Sequence, residues 1–87
     1  MITEQNAPTI RLFWSYAAQA RAAFASGDAR ALWEAVDELS VMEMHAPAKL
    51  AASISGTLSA LEAQAATEEQ RGIIQAARDG QELAATA

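Results

Sequence analysis

The sequence predicts an all-α fold, a small antiparallel helical bundle of three or four helices. Three observations carry that prediction. Apolar residues recur at three- and four-residue spacing through most of the chain, β-branched residues are too dispersed to alternate along strands, and the few helix breakers fall between the apolar stripes. The 87 residues are read as a single helical domain, 1–87, with a short flexible N-terminus (1–7) and a fraying C-terminus (81–87). A lone core of this size buries only about 60% of the surface of the unfolded chain, so association with another chain is expected.

The first helix is expected over 8–26. Its segment IRLFWSYAAQARAAF (10–24) holds four of the five aromatic residues. At 100° per residue, Ile10, Phe13, Ala17, Ala20 and Phe24 form one seam, with Trp14 and Arg21 on one flank and Leu12, Tyr16 and Ala23 on the other. The apolar arc covers about 200°, against the roughly 100° that a surface helix needs, so a flank is left over once the seam is buried. Arg21 lies about two turns from Trp14 on the same side. Its stem can cover the indole, or the two can serve with Tyr16 as anchors for a partner, being residue types enriched at binding hot spots.

Gly27-Asp28 supplies a C-terminal glycine followed by an N-cap, which starts the second helix over 28–45. Its seam is Ala29, Leu32, Trp33, Val36, Leu39 and Met42, and its other face carries Arg30, Glu34, Asp37 and Glu38. From Asp28 to Ala46, five carboxylates stand against Arg30, a net −4 of the total −5, so the acidity of the chain is local. Glu34 and Glu38 repel at i,i+4 spacing, and Arg30 offsets only part of this. Two residues break the pattern: Glu43 falls in the apolar arc and Val41 in the charged face. Either both sit in the open environment of a helix end, or Val41 is the apolar centre of an acidic contact surface.

Pro47 restarts the chain as a third helix over 47–65. Leu50, Ile54, Leu58 and Leu61 form its large stripe. Ala52, Ser53, Gly56, Thr57 and Ala60 form a small-residue groove on the opposite side, read as a seat for another helix, preferably of the same chain and otherwise of a second one. Thr67-Glu68-Glu69-Gln70 matches a capping box and opens a fourth helix over 68–84, with Ile73, Ile74 and Leu83 as its only large apolar residues. No proline or glycine lies between 57 and 71, so helices three and four are read as either one bent rod or two helices. The expected core is Phe13, Ala17, Phe24, Leu32, Val36, Leu39, Ile54, Leu58, Leu61 and Ile73.

Composition narrows the chemistry. The absence of cysteine removes disulfides, zinc–thiolate sites and thiol nucleophiles. The six Lys and Arg residues are scattered singly in a chain of net charge −5, which argues against direct nucleic-acid binding. The polar start MITEQNAP and the lack of a long apolar run argue against a signal peptide and a membrane span, so a cytoplasmic location is expected. The run Met42-Glu43-Met44-His45 offers soft-metal ligands but no convergent second set. The methionines are read as filling core space and His45 as complementing the helix C-terminus. Carboxylate pairs such as Glu68-Glu69 are neighbours that a helix points apart, and no serine has an activating base nearby. No catalytic residue, metal ligand or cofactor is assigned.

These residues imply a small non-catalytic protein-binding regulator, an inhibitor that occupies a surface of a larger protein partner. The mobile-element or phage type of inhibitor enters by class analogy only. The alternative is a structural or chaperone-like helical subunit of a homo-oligomer or obligate complex. The expected partner is a protein, in a homodimer or a hetero-complex, without nucleic acid or membrane. Its contacts are expected at Trp14, Tyr16, Arg21, Glu34, Asp37, Glu38 and Val41, with Ala52, Gly56 and Ala60 as the packing or oligomer groove.

Overall fold

The computed structural model describes residues 7–81, which form four helices: α1 (Ala7–Ser26), α2 (Ala29–His45), α3 (Ala48–Gln64) and α4 (Glu68–Arg78). The expected flexible segment before Ala7 and the fraying segment after Gln81, with Leu83, lie outside the described residues. Each boundary has a local cause. Pro8 falls in the first turn of α1, where its missing N–H costs nothing. Gly27 ends that helix in the left-handed region at φ 71°, and the N–H groups of Gly27 and Asp28 both donate to the Ala23 carbonyl. Asp28 then caps α2, its Oδ1 accepting from the Ala31 N–H at 3.0 Å.

Proline ends α2 indirectly. The residue before a proline is pushed out of the helical region, and Ala46 is extended at φ −83°, ψ 152°. The break between α3 and α4 is real and lies at residues 65–67. Thr67 adopts an extended N-cap conformation and its Oγ1 accepts from the Gln70 N–H at 3.1 Å. Gln70 Oε1 reciprocates by accepting from the Ala66 N–H at 2.8 Å, one residue upstream of the usual capping-box partner. The expected end of α4 at residue 84 is corrected to Arg78. Gly80 sits at φ 76°, its N–H donates to the Ala77 carbonyl, and the Gln81 N–H donates to the Ala76 carbonyl, which is the bond pattern of a Schellman stop.

The short links make consecutive helices antiparallel. Leu12, near the start of α1, shares a groove with Val41, near the end of α2, while Gln19 Nε2 donates to the Ala31 carbonyl at 3.2 Å. α4 runs in the same sense as α2. Its first turns, with Gln70 and Ile73, share a crevice with Ala29 and Leu32, and its last turn, with Arg78, shares one with Ser40 and Glu43. α2 is therefore the central rod, packed on by the other three helices.

The core follows from that arrangement. Seven large side chains are fully buried: Leu32, Val36 and Leu39 from α2, Ile54, Leu58 and Leu61 from α3, and Ile74 from α4. Each is worth about 1.5–3 kcal/mol of burial. α1 contributes no member of that set. Instead it buries Phe13 with Ala17, Ala20 and Ala23. Phe24, expected in the core, is half-buried at its rim, because it lies in the last turn of α1, where the bundle ends. The expectation that a helix of the same chain fills the α3 groove is not met. Ala52, Gly56 and Ala60 are exposed on its outer face, and a Cβ on Gly56 meets nothing within 4 Å.

Two consequences for stability follow. Leu39→Ala empties the centre of the bundle and lowers the unfolding free energy by about 2–5 kcal/mol. Gly56→Ala and Gly72→Ala each raise it by about 0.5–1 kcal/mol, since both glycines are interior helical positions open to added methyls. Urea denaturation followed by circular dichroism measures all three, and a destabilised G56A variant would place another backbone against that face.

Candidate functional site

Burial of Leu32, Ala35, Val36 and Leu39 on one side of α2 turns Arg30, Glu34, Glu38 and Val41 toward solvent, with Asp37 half-buried beside them. The strip is rimmed on both sides. On the α1 side stand Tyr16, half-buried against the core, and Gln19, anchored to the Ala31 carbonyl. On the side of the C-terminal segment stands Trp33, whose indole N–H donates to the Gln81 carbonyl at 3.0 Å. Tyr16, Gln19, Trp33, Glu34, Asp37 and Glu38 together line a shallow depression of about 340 Å³.

The electrostatics of this depression are one-signed. Arg30 Nε approaches Glu34 Oε1 only to 4.0 Å, with both side chains more than half exposed, so the pair contributes little. Asp37 and Glu38 have no ion-pair partner among the described residues. Three carboxylates between two electron-rich ring systems suit a cation, since aromatic faces attract lysine and arginine and the carboxylates add charge-assisted hydrogen bonds.

One turn away the surface changes character. Leu12 and Val41, 50% and 45% exposed, line an apolar groove of about 470 Å³ with Met42, His45 and Pro47. Val41 is thus at the edge of the acidic strip, paired with Leu12 across the α1–α2 seam, and does not form its centre. Met44 is 78% exposed, which corrects the expectation that the methionines of this run fill the core; of the two, Met42 packs against it.

The other irregular residue of α2 has a separate explanation. Glu43 is half-buried and lines a polar cavity of about 450 Å³ with Ser40, Glu62, Gln75, Arg78 and Asp79. It therefore does not lie in the open environment expected of a helix end. Arg78 crosses from α4 to α3 here, its Nη1 3.6 Å from Glu62 Oε1. The Ser40 hydroxyl is buried in the same region without a hydrogen-bond partner. Among the described residues no group of three His, Cys, Asp or Glu side chains is placed to hold a metal ion.

The seven residues expected to meet a partner are thus divided. Tyr16, Glu34, Asp37 and Glu38 come together in one depression, and Val41 lies in the adjoining groove. Trp14 and Arg21 sit on the other flank of α1, where Trp14 is 61% exposed and rests on Phe13 at a ring-centroid distance of 5.2 Å. Two participants were not anticipated from the sequence, Gln19 and Trp33, whereas Leu12 was placed with Tyr16 on a free flank but not among the expected contacts. Trp33 was legible in principle, because it precedes Asp37 by four residues and so shares its stripe. The Gln19–Ala31 and Trp33–Gln81 bonds join positions 12 and 48 residues apart, which one sequence does not pair.

No protein-family model, curated protein or solved structure matches the chain. Function is accordingly argued from these residues.

The one-signed strip carries a stability cost that can be measured. Glu38→Lys replaces an i,i+4 repulsion with an attraction between Glu34 and the introduced lysine, in the favourable orientation, and it raises stability by about 0.5 kcal/mol at low salt. Repeating the urea denaturation in about 1 M salt, where the screening length falls to about 3 Å, shrinks the gain.

Proposed function

We propose that this protein is a small, non-catalytic regulator that binds a larger protein and inhibits it by covering a functional surface. The observation that supports this reading is the depression on α2, where Glu34, Asp37 and Glu38 stand between Tyr16 and Trp33 with a single loosely placed arginine to offset them. An acidic, aromatic-rimmed surface favours a partner patch rich in lysine and arginine. Complementary charge of this kind raises the association rate and sets specificity.

A second copy of the chain is the weaker candidate for this face. A two-fold interface sets the same patch against itself, so an acidic strip would meet an acidic strip. The partner is therefore read as a different protein, in a hetero-complex formed in the cytoplasm. Homodimerisation, the alternative, would have to use another surface such as the exposed Ala52–Gly56–Ala60 face of α3. None of the helices among the described residues is long and apolar enough to cross a membrane.

The test is charge reversal. Immobilised wild-type protein captures a stoichiometric partner from lysate of its source cells, and the variant Glu34→Lys, Asp37→Lys, Glu38→Lys loses it while keeping its helical circular dichroism spectrum. Capture by the wild type weakens steeply as salt is raised. Undiminished capture by the triple variant would overturn the assignment of this face. Analytical ultracentrifugation of the free protein addresses the alternative: a single monomeric species across a hundredfold concentration range is expected, and a concentration-dependent dimer would favour a homo-oligomeric subunit.

A further inference from the structure

The acidic depression and the apolar groove share no lining residue but adjoin end to end, so that together they make a two-part channel. Leu12 in the groove and Tyr16 in the depression are one turn apart on α1, and Val41 and Glu38 are one turn apart on α2. Because the two helices run antiparallel, both transitions occur at the same level, so the seam is apolar at one end and acidic beyond it. On α2 the residues Val41, Glu38 and Glu34 are spaced i, i−3 and i−7. They form a single stripe about 10 Å long at 1.5 Å per residue.

From this geometry, and resting on the reading of the α2 face as a protein-binding surface, we infer that the partner presents an amphipathic basic helix to this channel. One large apolar side chain of that helix enters the Leu12–Val41 groove, and lysines or arginines one and two turns away meet Glu38, Asp37 and Glu34. The seam between two antiparallel helices is a groove into which the ridge of a third helix packs, and the stripe spacing here matches the i, i+3/i+4, i+7 anchors of helix-in-groove recognition. Charge decides the occupant. Asp37 and Glu38 have no ion-pair partner among the described residues, and Tyr16 and Trp33 line the same depression, where aromatic rings add to the attraction for a cation. The same carboxylates repel a phosphate backbone or an anionic lipid surface.

Two tryptophans make the test specific. Trp33 lines the depression, whereas Trp14 lies on the far flank of α1, so their indole N–H signals in a nitrogen-15 correlation spectrum report the channel and a built-in control. The probes are two alanine- and glutamine-based helical peptides of about 18 residues, long enough to form helix in isolation. Each carries one leucine and lysines four and seven residues from it, and the two run in opposite chain directions.

One of them is expected to shift the Trp33 signal while that of Trp14 stays in place. Its affinity falls tenfold or more when the peptide leucine becomes alanine, and likewise for the Leu12→Ala, Val41→Ala double variant. A peptide with glutamates in place of the lysines causes no shift. Leu12 and Val41 are about half exposed, so the double variant retains the fold, which its melting curve verifies. The inference is overturned if neither peptide moves the Trp33 signal at millimolar concentration, or if the double variant binds as well as the wild type. If peptides fail while the charge-reversed triple variant still loses the natural partner, only the helical form of the partner is refuted. If that variant keeps the natural partner, the underlying reading of the face fails as well.

Discussion

Close packing of α1 on α2 through small residues is the constraint on which the rest of this structure depends. α1 buries Ala17, Ala20 and Ala23, and α2 buries Ala35, all at 3% exposure or less. Helix axes joined by alanines approach more closely than axes separated by leucines. Phe13 is the one large side chain that α1 buries on this face, and its other large residues stand at the edges or beyond. Leu12 and Tyr16 stand beside α2, and Trp14 is left on the far flank. The surface features of the bundle are by-products of how its interior is filled.

The same packing fixes where charge can go. α2 is packed on by the other three helices; apart from Ser40 and Glu43, which face the polar cavity beside α4, its polar residues are left one outward strip, where Glu34, Asp37 and Glu38 are concentrated. Only Arg30 shares the strip, and at 4.0 Å it does little to neutralise Glu34. A bundle selected for stability alone would be expected to intersperse lysines on such a face, since i,i+4 pairs of opposite sign stabilise a helix and pairs of like sign destabilise it. The excess of one sign on the central helix is therefore a cost to the fold, and it supports the proposed reading of this strip as a binding face.

Much of the architecture was legible because it is written in short-range chemistry. The Gly27-Asp28 stop and start, the restart at Pro47 and the Thr67–Gln70 cap are local, and each appears in the structure close to where the sequence places it. Nine of the ten expected core residues are buried, Phe24 being the exception, because helical periodicity identifies which face is covered and not how far along the helix the cover extends. The small-residue stripe of α3 misled for a different reason. Alanine serves equally as a close-packing residue and as the best helix former on a solvated face, and Ala52, Gly56 and Ala60 face solvent. Glu62 and Arg78, which tie α3 to α4, belong to different helices, so helical spacing could not bring them together. Residues 65–67 resolved the question of one rod or two because Thr67 supplies the cap that a continuous helix would not need.

Mounting the acidic strip on the central helix has a thermodynamic consequence for recognition. Binding costs free energy whenever backbone must be ordered, and a loop that carried the same carboxylates would have to be immobilised on contact. Here the backbone of α2 is already fixed by Leu32, Val36 and Leu39 in the core, and the rims are fixed as well: Gln19 holds to the Ala31 carbonyl and Trp33 to the Gln81 carbonyl. Only the ends of the carboxylate side chains remain to be ordered. A small chain that buries little surface of its own can thus present a preorganised face, and the modest area available at this size is used with little loss to ordering. The same logic limits what the face can recognise. On the proposed reading, a strip of fixed spacing would favour a partner surface that repeats at helical intervals over flexible basic segments, which would bring their own ordering cost to the complex.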